Sequence, residues 1–164
     1  MAERLFSYAT AKLKLEPDHP AIDSALNNLA DLYILQSRYA EAEILYQLGI
    51  SIGEKIVDPS RRKLVEPLTK LAELYKTQGR YKEAESLHKR AADFLERAFG
   101  YYHPDVSTAI SNIAGIYFAQ GRYSEAEPLY KHALAIRENT SGAMDIGTAA
   151  ILNNRAPRCF KWVA

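Results

Sequence analysis

The feature that most restricts this chain is a pattern written three times. "LADLYILQSRYAEAEILY" begins at residue 29, "LAELYKTQGRYKEAESLH" at 71 and "IAGIYFAQGRYSEAEPLY" at 113, a spacing of forty-two. Tyr33, Tyr75 and Tyr117 keep step, as do Tyr39, Tyr81 and Tyr123, Gln36, Gln78 and Gln120, and Arg38, Arg80 and Arg122. Glu41-Ala42-Glu43 returns as Glu83-Ala84-Glu85 and as Glu125-Ala126-Glu127. Periods of this size belong to stacked arrays of a small unit rather than to one closed core.

The spacing inside each unit predicts helix, turn, helix. Leu26, Leu29, Ala30 and Tyr33 follow the i, i+3, i+4, i+7 rule and share one helical face. Pro20 and Pro104 suit the first turn of such a helix, where a missing N–H costs nothing. Then come "QSRY", "QGRY" and "QGRY", in which Gly79 and Gly121 can take the left-handed conformation that ends a helix, and Ser37 does so less easily. A second apolar face follows at Tyr39, Ala42, Leu45, Tyr46 and Gly49, with Ala91 and Ala133 at the places matching Gly49. The recurring Ala42, Ala84 and Ala126 predict helices in close approach, where a larger residue would overpack the contact. Pro67 falls near a helix start, whereas Pro128 falls about one turn into a helix, where a local bend is expected. Each hairpin keeps an apolar stripe that only the next hairpin can cover, so the units should stack into a solenoid.

Composition excludes several classes. The chain has 164 residues, 48% hydrophobic and 25% charged, which suits a folded globular protein. Its 21 basic and 20 acidic residues leave a net charge of +1, without the footprint of a nucleic-acid or anionic-membrane binder. The single Cys159 cannot form an internal disulfide, no apolar run reaches membrane-spanning length, and "MAERLFSYAT" is not a signal peptide. A cytoplasmic location is the resulting expectation. No phosphate loop, nucleophile elbow or zinc-protease motif is present, and no histidines or cysteines stand at metal-ligand spacing. The expectation is therefore a protein with no catalytic role, no metal and no cofactor.

The residues also carry a family resemblance. The repeated pattern, with Leu29-Ala30, Leu32-Tyr33, Gln36 and Arg38-Tyr39 in its first copy, resembles the tetratricopeptide repeat. The forty-two-residue period, with "LNNLADLY", "FGYYHPDV" and "QGRYSEAEPLYKHALAIRE", is similar to the kinesin light chain type of that repeat. The resemblance implies an all-α fold, a right-handed superhelical solenoid of antiparallel helix hairpins. It runs from Ala2 to about Ala156. Residues 1–18 align with the second helix of an incomplete unit, followed by repeats at 19–60, 61–102 and 103–144. A fourth start lies at 145–156, where Asn154 matches an earlier asparagine, and 157–164 is an irregular tail. His19 and His103 precede prolines and read as capping or linker residues; "RRK" at 61–63 reads as solvated.

Opposite the apolar stripe, at about 100° per residue, lie Ser24, Asn28, Asp31 and Leu35 in the first unit, flanked by Asn27 and Ile34. The second unit presents Glu66, Lys70, Glu73 and Thr77 beside Thr69 and Lys76; the third presents Thr108, Asn112, Gly115 and Ala119 beside Ser111 and Phe118. In tetratricopeptide folds the first helices line a concave groove. By resemblance, then, Asn27, Asn28, Asp31, Lys70, Glu73, Lys76, Ser111 and Asn112 form a peptide-binding surface. Asparagine suits it, because its amide both donates to and accepts from an extended backbone. The expected partner is a protein or peptide, with no nucleic acid and no membrane. The alternative is a structural module that self-associates through exposed repeat ends. The tyrosines at 33, 75 and 117 read as core wedges, and Glu41, Glu43 and their repeats as first-turn charges that meet the helix dipole.

Overall fold

A computed structural model describes residues 22–55 and 62–141. The expectations for the half repeat at 1–18, for His19-Pro20, for Asn154 and the fourth start, and for the tail with Cys159 lie outside the described residues. Within them run six α-helices: α1 (Ile22–Leu35), α2 (Tyr39–Lys55), α3 (Val65–Thr77), α4 (Tyr81–Phe99), α5 (Pro104–Ala119) and α6 (Tyr123–Ser141). A single 3-10 turn, Arg62–Leu64, precedes α3, and there is no strand among the described residues.

Each helix packs chiefly against its neighbours in sequence. α1 pairs with α2, α3 with α4 and α5 with α6 as hairpins, while α2 lies on α3 and α4 on α5 between hairpins. This is the one-dimensional stack the leftover stripe demands. Ala42, Ala84 and Ala126 sit at the close approaches, at 0%, 0% and 2% exposure. Gly53 marks another tight point, because a side chain there would collide with the buried Leu64.

The three hairpin turns share one backbone solution. Ser37, Gly79 and Gly121 have φ of 59°, 74° and 75°, all left-handed. The next residue's N–H then reaches back to a tyrosine carbonyl: Arg38 to Tyr33 and Arg80 to Tyr75 at 2.8 Å, and Arg122 to Tyr117 at 2.9 Å. The turn residue itself donates to Ile34, Lys76 or Phe118. These two bonds satisfy the carbonyls that a helix C-terminus leaves open. The same arginines lie over the same tyrosine rings, at 4.0, 3.8 and 4.1 Å from guanidinium carbon to centroid.

Ser37 bears a Cβ in a conformation where glycine has no steric penalty. Ser37→Gly is expected to stabilise the chain by roughly 0.5–1 kcal/mol, read as a higher urea midpoint. A lower midpoint would mean that the serine hydroxyl contributes more than its backbone strain costs.

His103 caps α5, its Nδ1 accepting from the Asp105 N–H at 3.2 Å, and its ring stacks on Phe99 with centroids 4.4 Å apart. Pro67 lies in the first turn of α3, where its missing N–H has no helical acceptor to lose. α6 runs unbroken through Pro128.

Candidate functional site

The first helices α1, α3 and α5 bring the sequence-predicted face together, with two exceptions. Asn28 is exposed, and Asp31, Lys70, Glu73, Lys76 and Asn112 are half-buried. Asn27 and Ser111 are instead buried within the packing, at 3% and 7% exposure, and do not reach the open face. For Ser111 the reason is that a first helix inside the stack packs on two sides. α3 touches both α2 and α4 and α5 both α4 and α6, so the covered arc is wider than the i, i+3, i+4, i+7 stripe. Asn27 is covered by the partner helix of its own hairpin, its Oδ1 close to Gly49 of α2.

The charged residues of the face are paired with one another. Asp31 accepts from the Tyr46 hydroxyl at 2.5 Å through Oδ1 and from Lys70 Nζ at 2.9 Å through Oδ2. It thereby ties its own hairpin to the next. Burial, and after it the Asp31 contact, pushes the Tyr46 hydroxyl well above its ordinary pKa. Glu73 forms an ion pair with Lys76 and has Oε1 3.5 Å from Nε2 of the fully buried His88.

Those contacts recur in frame with different chemistry. Asp31 and Tyr46, Glu73 and His88, and Gly115 and Tyr130 are successive occupants of one pair of positions. Where Gly115 offers no carboxylate, the Tyr130 hydroxyl fills the space, 3.5 Å from where a Cβ would stand.

His88 is the larger cause holding the Glu73 carboxyl down to about 2 from 4.5; burial opposes it and Lys76 assists it. A carboxyl with a depressed folded pKa adds stability above its unfolded value and loses it as pH falls toward the folded one. The urea midpoint is therefore expected to fall between about pH 5 and pH 2, and Glu73→Gln is expected to flatten that limb. Because the Glu73 side chain is 45% exposed, solvent screening keeps its share near 1 kcal/mol or below. An acid limb identical in Glu73→Gln would mean that this carboxyl has no part in it.

A set of contacts that sequence reasoning missed joins successive hairpins. Glu43 accepts from the Tyr75 hydroxyl at 2.8 Å and from Arg80 Nη1 at 3.0 Å. Glu85 accepts from the Tyr117 hydroxyl at 2.8 Å, with Arg122 Nη1 at 3.7 Å. The first glutamate of each Glu-Ala-Glu stays local, Glu41 pairing with Arg38, Glu83 with Arg80 and Glu125 with Arg122. The two glutamates thus have different work, although both are first-turn acids in the sequence. The signal was present: glutamate, tyrosine and arginine recur at fixed offsets. The tyrosines act as wedges through their rings, while the hydroxyls of Tyr75 and Tyr117 are connectors.

Between α3 and α5 lies an open depression of about 430 Å³. Val65 and Ala109 give it apolar surface, Thr69 and Asn112 hydrogen-bonding groups, and Glu66 and Asp105 carboxylates. Among the described residues no group of three or more histidine, cysteine, aspartate or glutamate side chains could hold a metal ion. None of the described helices is long and apolar enough to cross a membrane.

Comparison with known proteins is consistent with this geometry. A family model described as Tetratricopeptide repeat matches residues 64–139 and 105–156, and a second of the same description matches 24–60. No curated protein matches the chain. Among solved structures, BtubC (BKLC) from P. vanneervenii is 23% identical, with a TM-score of 0.73 over 94% of this chain, which spans 61% of that one. A putative kinesin light chain with nearly identical TPR-like repeats, from Podosopora anserina, is 22% identical, with a TM-score of 0.72 over 93% of this chain and 72% of that one. The N-terminal domain of stress-induced protein-1 from C. elegans is 15% identical, with a TM-score of 0.60 over 84% of this chain and 99% of that one. At these identities the likeness is one of fold. Family-model matches over more than half of its length show that the chain belongs to the tetratricopeptide repeat family.

Proposed function

We propose that this chain is a non-catalytic scaffold for protein–protein interaction, which takes a short peptide or a partner helix along the concave face lined by α1, α3 and α5. The observation that carries the reading is the division of labour on that face. Four of its charged residues are held in pairs, Asp31 by Lys70 and Glu73 by Lys76. Asn28 and Asn112 have no side-chain hydrogen bond among the described residues, so their amides stand ready for a ligand's backbone. The paired charges act as a rigid frame, and the buried Asn27 and Ser111 belong to the packing behind it. Binding of this modular kind has a Kd near the micromolar range, about −8 kcal/mol.

The test is an array of proteome-derived peptides probed with the full chain, followed by anisotropy on the best binder. Asn28→Ala and Asn112→Ala are each expected to weaken that peptide by about 1 kcal/mol, roughly fivefold, with the melting temperature unchanged. Binding untouched by both substitutions would move the ligand to another face.

A further inference from the structure

We infer that the ligand face carries a subsite over Gly115 of α5, where a glutamine or asparagine side chain of the partner accepts a hydrogen bond from the Tyr130 hydroxyl. The inference rests on the groove reading above and adds the chemistry of one contact within it. Gly115 stands in frame with Asp31 and Glu73, and Tyr130 with Tyr46 and His88. In the first unit the tyrosine hydroxyl is satisfied inside its hairpin, Tyr46 donating to Asp31 at 2.5 Å. Tyr130 is also buried, at 3% exposure, yet its hydroxyl has no hydrogen-bond partner among the described residues. Burial alone raises its pKa, whereas Asp31 contributes to the rise at Tyr46. Among the described residues, the partnerless side-chain atoms sealed from water belong to Asp23, Asn27, His88 and Gln120, so the Tyr130 oxygen reaches the surface beside Gly115.

Packing does not call for glycine at this place. Tyr46 fits beside an aspartate in the same frame, and a Cβ at 115 would stand in ordinary contact with the Tyr130 oxygen, at 3.5 Å. Glycine inside a helix is destabilising relative to alanine, and one of its uses is to let a ligand come close to the backbone. Gly115 is half-buried, as is Asn112 one turn before it. An acceptor held above Gly115 takes the place that the Asp31 carboxylate has in the first unit. That acceptor is better uncharged. Asp31 has Lys70 at 2.9 Å, whereas α5 carries no charged residue after Asp105, and Lys76 of α3 and Lys131 of α6 are held by Glu73 and Glu127. A partner's carboxylate would lose water there without gaining a counter-charge. A carboxamide has the same shape; its oxygen accepts from Tyr130 and its amide donates to the Asn112 oxygen.

The experiment passes a positional-scanning library of acetylated, amidated nonapeptides over the immobilised full chain. Selected peptides are then measured by fluorescence anisotropy against Tyr130→Phe, Gly115→Asp and Asn28→Ala, with folding checked by circular dichroism. Glutamine or asparagine is expected to be enriched over glutamate, aspartate and methionine at one position. Affinity for such a peptide should fall roughly fivefold in Tyr130→Phe. The melting temperature of that variant should be unchanged, because the hydroxyl it removes bonds nothing within the fold; a lower one would overturn the inference. Affinity should fall at least as far in Gly115→Asp, whose carboxylate can accept from Tyr130 as Asp31 does from Tyr46 and so closes the subsite. The peptide with alanine at the enriched position should bind the unaltered chain and Tyr130→Phe alike. Binders that show no carboxamide preference, or that ignore Tyr130→Phe, yet weaken in Asn28→Ala would overturn this inference and leave the groove standing. No binder at all, or binders indifferent to all three substitutions, would overturn both.

Discussion

Ala84→Leu is expected to destabilise the chain by about 3 kcal/mol, at the upper end of what overpacking a core costs. Ala84 is fully buried on α4, the central second helix, which packs on α3 within its hairpin and on α5 of the next. A leucine there must push α4 away from one neighbour, and in a stack either displacement opens an interface. At a few degrees per kcal/mol for a chain of this size, the melting midpoint should drop by roughly 10 °C. Because each hairpin touches only its neighbours, the loss should also be uneven. Amide exchange should rise first in α3 and α4. Ala84→Ser, which adds one atom, should cost far less, and a melt unaltered by leucine would mean that the alanine is not at a close approach.

The second large effect concerns the joints between hairpins. Glu43→Ala is expected to cost about 2 kcal/mol, because it removes the acceptor of the Tyr75 hydroxyl, leaving that group only the Gln47 amide, and one of two carboxylates from Arg80. For Glu85 the arginine partner stands at 3.7 Å rather than 3.0 Å, and Lys89 of its own helix bonds it at 2.6 Å, so less of what Glu85→Ala removes joins one hairpin to the next. Tyr75→Phe combined with Glu43→Ala closes a double-mutant cycle, and a coupling of about 1 kcal/mol is expected. Additive losses would show that the contact contributes nothing beyond the separate side chains. α1, α3 and α5 belong to different hairpins, so the joints between hairpins set the spacing of Asn28 and Asn112, on which the proposed binding depends.

The ion pairs across α1 and α3 act in the same way. Asp31 touches Tyr46 of its own hairpin and Lys70 of the next, and Glu73 lies beside the buried His88. These contacts hold charged groups in fixed positions, which on the proposed reading lowers the ordering cost of binding a peptide.

The amino-acid sequence alone determined the hairpin and its repetition: the helices, the left-handed residue at each turn, the buried alanines and the family. Those features depend on contacts within one unit or between identical neighbours, so a periodic sequence states them directly. Tertiary structure decided which polar residues the face could offer. Asn27 and Ser111 look like their neighbours Asn28 and Asn112 on a single helix, and only packing against other helices buries them. Glu43 meets Tyr75 and Arg80, and Asp31 meets Lys70, across more than thirty residues of chain. The angle at which one hairpin lies on the next sets those meetings, and spacing along the chain does not encode that angle.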